Sequence, residues 1–332
     1  MANRKNVHVV QRGDQWGTLR EGGQRASQVF DTQAQALKRY ANDRGIAIMG
    51  DLPIFIAHHS ADCWSRPDLY SLDDQCQPTI VAGCPPDAMA PTGQRWGNPL
   101  YRWAAHAADG FAWWTRRLRA QLAQADMVRI DHFRGFAAYW EVAADAPDAV
   151  NGVWRPGPGA ALFEAFDRAL GAPAIIAEDL GTITPDVIAL RDRFALPGMR
   201  VLQFAFDSDA HNTYLPHNYV PNTVVYTGTH DNDTACGWFA ARTDEMRERV
   251  RTYLGVDGRD IHWRLIHAAS MSVAGLAIYP FQDVLGLDSS ARMNRPGLAD
   301  GCWDWRFEWS QVEPGHAEGL RRISAAHGRN GL

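Results

Sequence analysis

Hydrophobic residues along the chain fall into short runs that each end in a carboxylate. The runs are rich in Ile, Val and Ala, and helical stretches separate most of them. Short buried strands that alternate with helices are typical of parallel βαβ units. The runs are Ile46–Asp51, Met127–Asp131, Ala174–Asp179, Met199–Asp207, Thr223–Asp231 and Leu276–Asp283.

The stretches between the runs have helical spacing. From Ala34 to Arg44 the pattern is Ala-rich, with Leu37 and Tyr40 spaced for one helix face, and Gly45 follows where a helix end favours glycine. Parallel sheets place their chemistry at the C-terminal ends of the strands, where the carboxylates fall. The other predicted helices are Phe111–Ala123, Ala160–Leu170, Pro185–Arg193 and Asp244–Leu254.

The pattern predicts an α/β fold of the (β/α)₈ TIM-barrel type. Six strands are recognisable, whereas a closed barrel has eight, so we expect strands three to eight, with the first two βα units missing or replaced. Residues 1–29 are unassigned apart from a β-like run at Val7–Val10. We assign residues 30–332 to the catalytic barrel. The aperiodic stretch Ala57–Tyr101 predicts an inserted, loop-rich subdomain at about 57–110.

Composition narrows the class of protein. With 332 residues, 46% hydrophobic, and a net charge of −5, the chain is globular, and nucleic acid or an anionic membrane is disfavoured as a partner. It has no apolar run of membrane-spanning length and no apolar signal region at its start. The five scattered cysteines favour reduced thiols over bridges or a zinc site, which predicts a cytoplasmic location.

The first chemical motif is VRIDHFRGF, Val128–Phe136. Arg129 and Asp131 are two residues apart on a strand, so both side chains point the same way. A cation beside Asp131 favours the ionised carboxylate that a nucleophile requires. The alternative is a structural salt bridge at a strand end.

The second motif is IIAEDLG, Ile175–Gly181. Adjacent acids at a strand end point to opposite sides, so only one of them faces the centre. A partly desolvated carboxyl near other carboxylates has a raised pKa, as a general acid needs. We assign this chemistry to Glu178, and capping of the following helix to Asp179 or Thr184.

The third motif is VVYTGTHDNDT, Val224–Thr234, where Gly228 lets the backbone turn and His230 and Asp231 stand at the strand end. Histidine and aspartate side chains both bind metals, but no HxH, HExxH or Cys/His cluster accompanies His230 and Asp231. A nucleophilic carboxylate, an acid/base carboxyl and a third carboxylate that holds sugar hydroxyls are the groups that glycosidic-bond transfer needs. The many tryptophans either fill the core or line a groove that stacks on sugar rings.

The order and the residues of these motifs resemble those of the α-amylase superfamily and, within it, of the 4-α-glucanotransferases (amylomaltases, disproportionating enzymes). The likeness runs from about Phe30 to near the C-terminus. The stretches that carry it include GDLPIFIAHHSADCW, PPDAMAPTGQRWGNPLYRW, VRIDHFRGFAAYWEV, AIIAEDLGTITPDV, PGMRVLQFAFDSD, YLPHNY, VVYTGTHDNDT and ARMNRPGLADGCWDWRF.

The resemblance implies transfer of α-1,4-glucan segments between maltooligosaccharides by a retaining double displacement, with no metal or organic cofactor. It makes Asp131 the nucleophile, Glu178 the acid/base and Asp231 the transition-state stabiliser. The implied substrate-binding residues are Arg129 and His230 as partners of these groups, Asp51 as the first-strand carboxylate, Gln94 and Trp96 on a flexible acceptor-side loop, and Phe204 near the glucan. Asn98 and Asn294 receive no role, and His58, His59 and His132 are assigned to structure.

This family normally carries a further N-terminal segment with a Ser-Pro-Tyr-type motif, and residues 1–29 contain no such stretch. An open barrel would leave an unpaired sheet edge, which predicts self-association. Two alternatives follow: a truncated, inactive or partner-dependent relative that only binds glucan, and a metal-dependent barrel hydrolase.

Overall fold

The computed structural model describes residues 7–12, 15–20, 28–87, 90–298 and 300–329. The remainder of the unassigned N-terminal segment, residues 1–6, 13–14 and 21–27, lies outside the described residues. The chain divides into two compact units, Met1–Leu196 and Pro197–Leu332.

The strands of the first unit form three sheets. The strands are β1 (Val7–Arg12), β2 (Gln15–Arg20), β3 (Gln28–Phe30), β4 (Met49–Pro53), β5 (Ile80–Cys84), β6 (Gln94–Pro99), β7 (Met127–Asp131), β8 (Ala138–Ala143), β9 (Val153–Pro156) and β10 (Ile175–Ala177). The sheet of order β1-β2-β3 is antiparallel, that of order β10-β7-β4 is parallel, and that of order β6-β5-β8-β9 is antiparallel.

The second unit contains a parallel sheet of order β11-β12-β13, formed by Gly198–Val201, Thr223–Tyr226 and Leu276–Ile278. The helices of the first unit are α1 (Gln33–Asn42), α2 (Ala61–Ser65), α3 (Trp103–Ala108), α4 (Ala112–Gln124), α5 (Ala160–Leu170) and α6 (Pro185–Arg193). Those of the second unit are α7 (Ala235–Ala240), α8 (Asp244–Leu254), α9 (Ile261–Met271), α10 (Phe281–Val284) and α11 (Pro314–Ala326).

The predicted alternation of buried strands and helices is confirmed within each unit. All six carboxylate-terminated runs contribute a parallel strand, and β7 has the predicted bounds, as do α5, α6 and α8. Several strands are shorter than predicted. After β11 the chain turns into a 3₁₀ segment at Leu202–Phe204, and after β13 it turns into α10. An apolar run marks burial, and a buried turn of helix satisfies that pattern as well as a strand does.

The stretch Ala57–Tyr101, which shows no periodicity in sequence, contains regular structure. It includes α2, β5 and β6, and β5 pairs with β8 as well as with β6. The inserted, loop-rich subdomain at about 57–110 stays a prediction, and this part of it contains regular elements. Its strands gain their hydrogen-bond partners from distant parts of the chain, a source of order that a local pattern does not reveal.

Alternation along β7 separates the core from the candidate site. Val128 and Ile130 are fully buried in the hydrophobic cluster that also contains Leu118 of α4. Successive side chains on a strand point to opposite faces, so Arg129 and Asp131 project away from this cluster. The second unit has its own cluster, which includes Val225 of β12 and Leu265 of α9.

Within the described ranges, no helix is both long and apolar enough to cross a membrane. All five cysteines are unpaired.

We expect Leu118→Ala to lower the free energy of unfolding by about 2–5 kcal/mol, because the substitution removes buried methyl groups and leaves a cavity. Leu118 has 0% of its surface exposed. The matched control is Leu37→Ala on α1, where the side chain is 51% exposed. Chemical denaturation monitored by tryptophan fluorescence measures both, and equal losses in the two variants would contradict this packing.

Candidate active site

Arg129 joins two strands of the parallel sheet through their carboxylates. Its backbone on β7 pairs in register with Asp51 on β4. The guanidinium Nη1 donates to both carboxylate oxygens of Asp51, at 2.7 and 2.8 Å, and Nη2 donates to Asp131 Oδ1 at 2.7 Å. Arg129 is buried, whereas the two carboxylates remain partly exposed to solvent. One cation therefore fixes the positions of both acids at the rim of the sheet.

The charge of Arg129 is secured by these neighbours. Burial alone would lower its pKa, but the charges of Asp131 and Asp51 outweigh burial and raise the pKa above the ordinary arginine value. A permanent cation bonded to a carboxylate favours the ionised carboxylate. Asp131 is thus held beside a permanent positive charge.

Glu178 directly follows β10 and lies in a different environment. Its carboxylate accepts hydrogen bonds from the backbone N–H of His132 at 2.6 Å and of Leu180 at 3.0 Å. Burial, with a further contribution from the charge of Asp131, raises the pKa of Glu178 to about 7, although Arg129 and the two N–H groups oppose the shift. A carboxyl with this pKa can hold a proton near neutral pH and release it, as a general acid must.

The neighbouring acid, Asp179, faces elsewhere. It is buried and accepts a hydrogen bond from Arg191 Nη1 of α6 at 2.5 Å. Thr184 precedes α6 at the capping position, but its side chain makes no capping hydrogen bond. The predicted capping position of Thr184 is therefore right, without the expected side-chain bond, while Asp179 ties the strand end to the last turn of that helix. The prediction that the two adjacent acids point apart is confirmed.

His132 follows Asp131 in a left-handed backbone conformation, with φ +53°. This conformation accompanies the donation of its N–H to Glu178, and left-handed backbone at a residue other than glycine is uncommon outside turns and functional sites. The imidazole packs edge-on against Trp96, with ring centroids 4.8 Å apart. Burial, followed by the charge of Arg134, lowers the pKa of His132 to about 3, so the ring is neutral.

Gln94 and Trp96 lie on the edge strand β6. The expectation that a flexible loop carries them is wrong, because β6 is paired with β5. Trp96 Nε1 donates to Gln94 Oε1 at 3.0 Å, and the indole also approaches Phe55, with centroids 6.3 Å apart. Trp96 therefore lies beside His132, the residue that follows Asp131.

In the second unit, Asp231 and His230 follow β12. Asn294 Nδ2 donates to Asp231 Oδ1 at 2.6 Å, and Arg292 Nη2 donates to the backbone carbonyl of Asp231, also at 2.6 Å. His230 Nε2 lies 3.4 Å from Asp231 Oδ2. The segment around Asn294 therefore holds both the backbone and the side chain of Asp231.

Two further residues shape this unit's strand ends. Phe204 ends the 3₁₀ segment after β11, and its ring packs edge-on against Tyr214 at 5.5 Å between centroids. At Gly228 a Cβ atom would lie 2.7 Å from Gln203 Nε2, and that same Nε2 donates to the carbonyl of Asp233 at 2.7 Å. Glycine is thus needed at position 228 for close approach.

Sequence reasoning missed several of these contacts. The backbone donors to Glu178, from His132 and Leu180, leave no signal in residue type. Arg292 received no role, and Asn294 was noted only for its motif. For Arg292 and Asn294, the detectable signal is that three of the four residues Arg292–Arg295 are polar, in a long stretch without apolar periodicity.

The sequence also matches a known protein family. Residues 24–311 match the family described as 4-alpha-glucanotransferase. This chain belongs to the 4-alpha-glucanotransferase family.

Two similar relatives are the 4-alpha-glucanotransferases of Synechocystis sp., 53% identical over 301 residues, and of Thermus thermophilus, 50% identical over 306 residues. Each match covers 90% of this chain, and 60% and 61% of the two relatives, respectively. Among solved structures, the amylomaltase from Streptococcus agalactiae in complex with acarbose matches with a TM-score of 0.88 and 37% identity, covering 90% of this chain and 61% of that one. The chain has an α/β fold similar to that amylomaltase and spans about three fifths of the length of these relatives.

We expect the contribution of Glu178 to stability to fall as the pH rises. Its folded pKa of about 7 lies above the ordinary 4.5, so ionisation costs more in the folded protein than in the unfolded chain. The contribution is therefore complete below about pH 4.5 and is lost as the pH rises toward about 7.

Denaturant unfolding of wild type and Glu178→Gln at a series of pH values isolates this contribution. The gap between the two free energies of unfolding should change across that window. The control Glu245→Gln, at an exposed position of α8, should follow the wild type. Parallel profiles for wild type and Glu178→Gln would show that Glu178 titrates normally.

Proposed function

We propose that this protein is a 4-α-glucanotransferase that moves α-1,4-glucan segments between maltooligosaccharides by a retaining double displacement. The observation that carries the proposal is the contrast between two carboxyls. Asp131 is bonded to a permanent cation, while Glu178 is buried with a pKa of about 7. A retaining transfer needs one ionised and one protonated carboxyl, and family membership supports the substrate class.

In the proposed reaction, Asp131 attacks the anomeric carbon while Glu178 gives its proton to the leaving glycosidic oxygen. The bond to the leaving glucan breaks, and a covalent ester to Asp131 forms. The 4-hydroxyl of an acceptor glucan then attacks the same carbon and loses its proton to Glu178. The ester breaks, so both carboxyls return to their starting states.

The other sites of the proposal have supporting roles. Asp231, oriented by Asn294, would hold sugar hydroxyls and favour the distorted ring of the transition state, with His230 as a further donor. Asp51 would act through Arg129, which it fixes. Phe204, Gln94 and Trp96 would contact the glucan, consistent with a relative that binds acarbose.

Several broader features belong to the same proposal. We assign residues 30–332 to a partial catalytic barrel of the (β/α)₈ type, which contains strands three to eight and an inserted subdomain at about 57–110. The alternation of parallel strands and helices within each unit supports this assignment. Self-association remains a prediction, and in the described part of the chain β4 forms one edge of its sheet. A cytoplasmic location is likewise a prediction.

Asp131→Asn should lower glucose release from maltotriose by at least about a thousandfold, because the amide cannot form the covalent ester. The control Asp244→Asn, at an exposed position of α8, should retain activity. Substantial transfer by the folded Asp131→Asn variant would remove Asp131 from the role of nucleophile. A wild-type chain that binds maltotriose but releases no glucose would favour the glucan-binding alternative.

Trp96→Ala should shift product formation from transfer toward hydrolysis, because an aromatic ring beside His132, the residue after Asp131, can hold an acceptor sugar and exclude water. The ratio of elongated oligosaccharides to newly formed reducing ends measures this balance. Trp64→Ala replaces a tryptophan that is 84% exposed on α2 and serves as the control. An unchanged ratio in Trp96→Ala would contradict the acceptor role.

A further inference from the structure

An aromatic residue stands at every second position from Trp303 to Trp309. The sequence is Trp-Asp-Trp-Arg-Phe-Glu-Trp, so charged residues occupy the intervening positions. In an extended backbone, alternate side chains share one side. The segment between Trp303 and the 3₁₀ turn that begins at Trp309 belongs to no helix or sheet. We call the four aromatic residues Trp303, Trp305, Phe307 and Trp309 the aromatic track.

The last three members of the track form a continuous surface. Phe307 stacks on Trp305, with centroids 6.0 Å apart and an interplanar angle of 28°, and meets Trp309 edge-on at 5.3 Å. Phe307 also packs against Phe281 at 4.8 Å, which opens α10 after β13. The track is thereby anchored beyond the C-terminal end of a parallel strand, where barrels and parallel sheets place their binding sites.

The first member of the track reaches the candidate catalytic residues of the same unit. The ring of Trp303 lies against that of His230, with centroids 5.1 Å apart. The backbone N–H of Trp303 donates to the carbonyl of Met293 at 2.7 Å, and the next residue, Asn294, donates to Asp231. One short segment therefore positions both Asp231 and the start of the track.

Trp303 is held in a strained conformation. Its φ of +64° lies in the left-handed region, which is unfavourable for a bulky residue. Such strain persists where the surroundings enforce it and is concentrated at ligand-binding and active sites. Here Arg306 Nη1 donates to the carbonyls of Trp303 and Trp305, at 2.9 and 2.7 Å, and so stiffens the backbone.

The two ends of the aromatic track are exposed, Trp309 at 79% and Trp303 at 53%. Trp305 and Phe307 between them are half-buried. Large aromatic rings are normally buried, and a contiguous exposed apolar surface marks a binding site. A flat aromatic face suits the apolar C–H face of an uncharged sugar ring, while the charged neighbours can bond to hydroxyls.

We propose that the aromatic track is an extended binding site for α-glucan chains that begins beside His230. This inference rests on the proposed function and deepens it, because it assigns a preference for long glucans to named residues. The four aromatic residues span six residue steps of the chain, so a longer oligosaccharide can contact more members of the track than a short one.

Calorimetric binding of maltotriose and maltoheptaose tests the track, with Asp131→Asn present in every variant to prevent turnover. Adding Trp309→Ala should weaken maltoheptaose binding about five- to tenfold, the loss of about one stacking contact. Maltotriose binding should change less than about twofold. Trp309→Phe, which keeps a flat ring, should restore most of the affinity, and Trp64→Ala should leave both affinities unchanged.

The outcomes separate the track from the proposed function. Unchanged maltoheptaose binding in Trp309→Ala, or equal losses for both sugars, would overturn the track even if wild type releases glucose from maltotriose. Failure of Asp131→Asn to bind either sugar, together with inactive wild type, would instead overturn the proposed function. Thermal unfolding of Trp309→Ala should match its parent, because the substituted side chain is largely exposed.

Discussion

The fork made by Arg129 is the interaction on which the first unit's site depends. A single buried guanidinium bonds to Asp51 on one strand and to Asp131 on the next. A planar guanidinium with several fixed donors can satisfy two carboxylates at once, whereas a lysine ammonium lacks that geometry. The fork therefore fixes the orientation of both carboxylates and the local charge together.

The raised pKa of Glu178 comes from its burial and from the neighbouring charge of Asp131. Glu178 lies in the same unit as the fork, yet its pKa rises to about 7 because burial removes water and Asp131 adds negative charge. Two backbone N–H groups keep it oriented without neutralising that effect. The two carboxyls thus have contrasting electrostatic environments, and the proposed double displacement relies on that contrast.

In the second unit, Asp231 lies in a turn beyond the end of β12 and is held there by side chains from another segment. Its backbone and side chain are bonded by Arg292 and Asn294, and the same stretch of chain anchors Trp303. A strained tryptophan and an oriented carboxylate thereby share one support. This coupling is the physical basis for extending the proposed glucan site along the aromatic track.

Local periodicity in the sequence is enough to predict the alternation of strands and helices, the bounds of β7, and the opposed directions of Glu178 and Asp179, because it encodes which face a side chain takes. The pairing of β5 with β8 and the strand position of Trp96 are visible in the folded chain alone. The same holds for the bonds from Asn294 and Arg292 to Asp231 and for the backbone donors to Glu178. These features depend on partners far apart in the chain, and on burial, which no local pattern specifies.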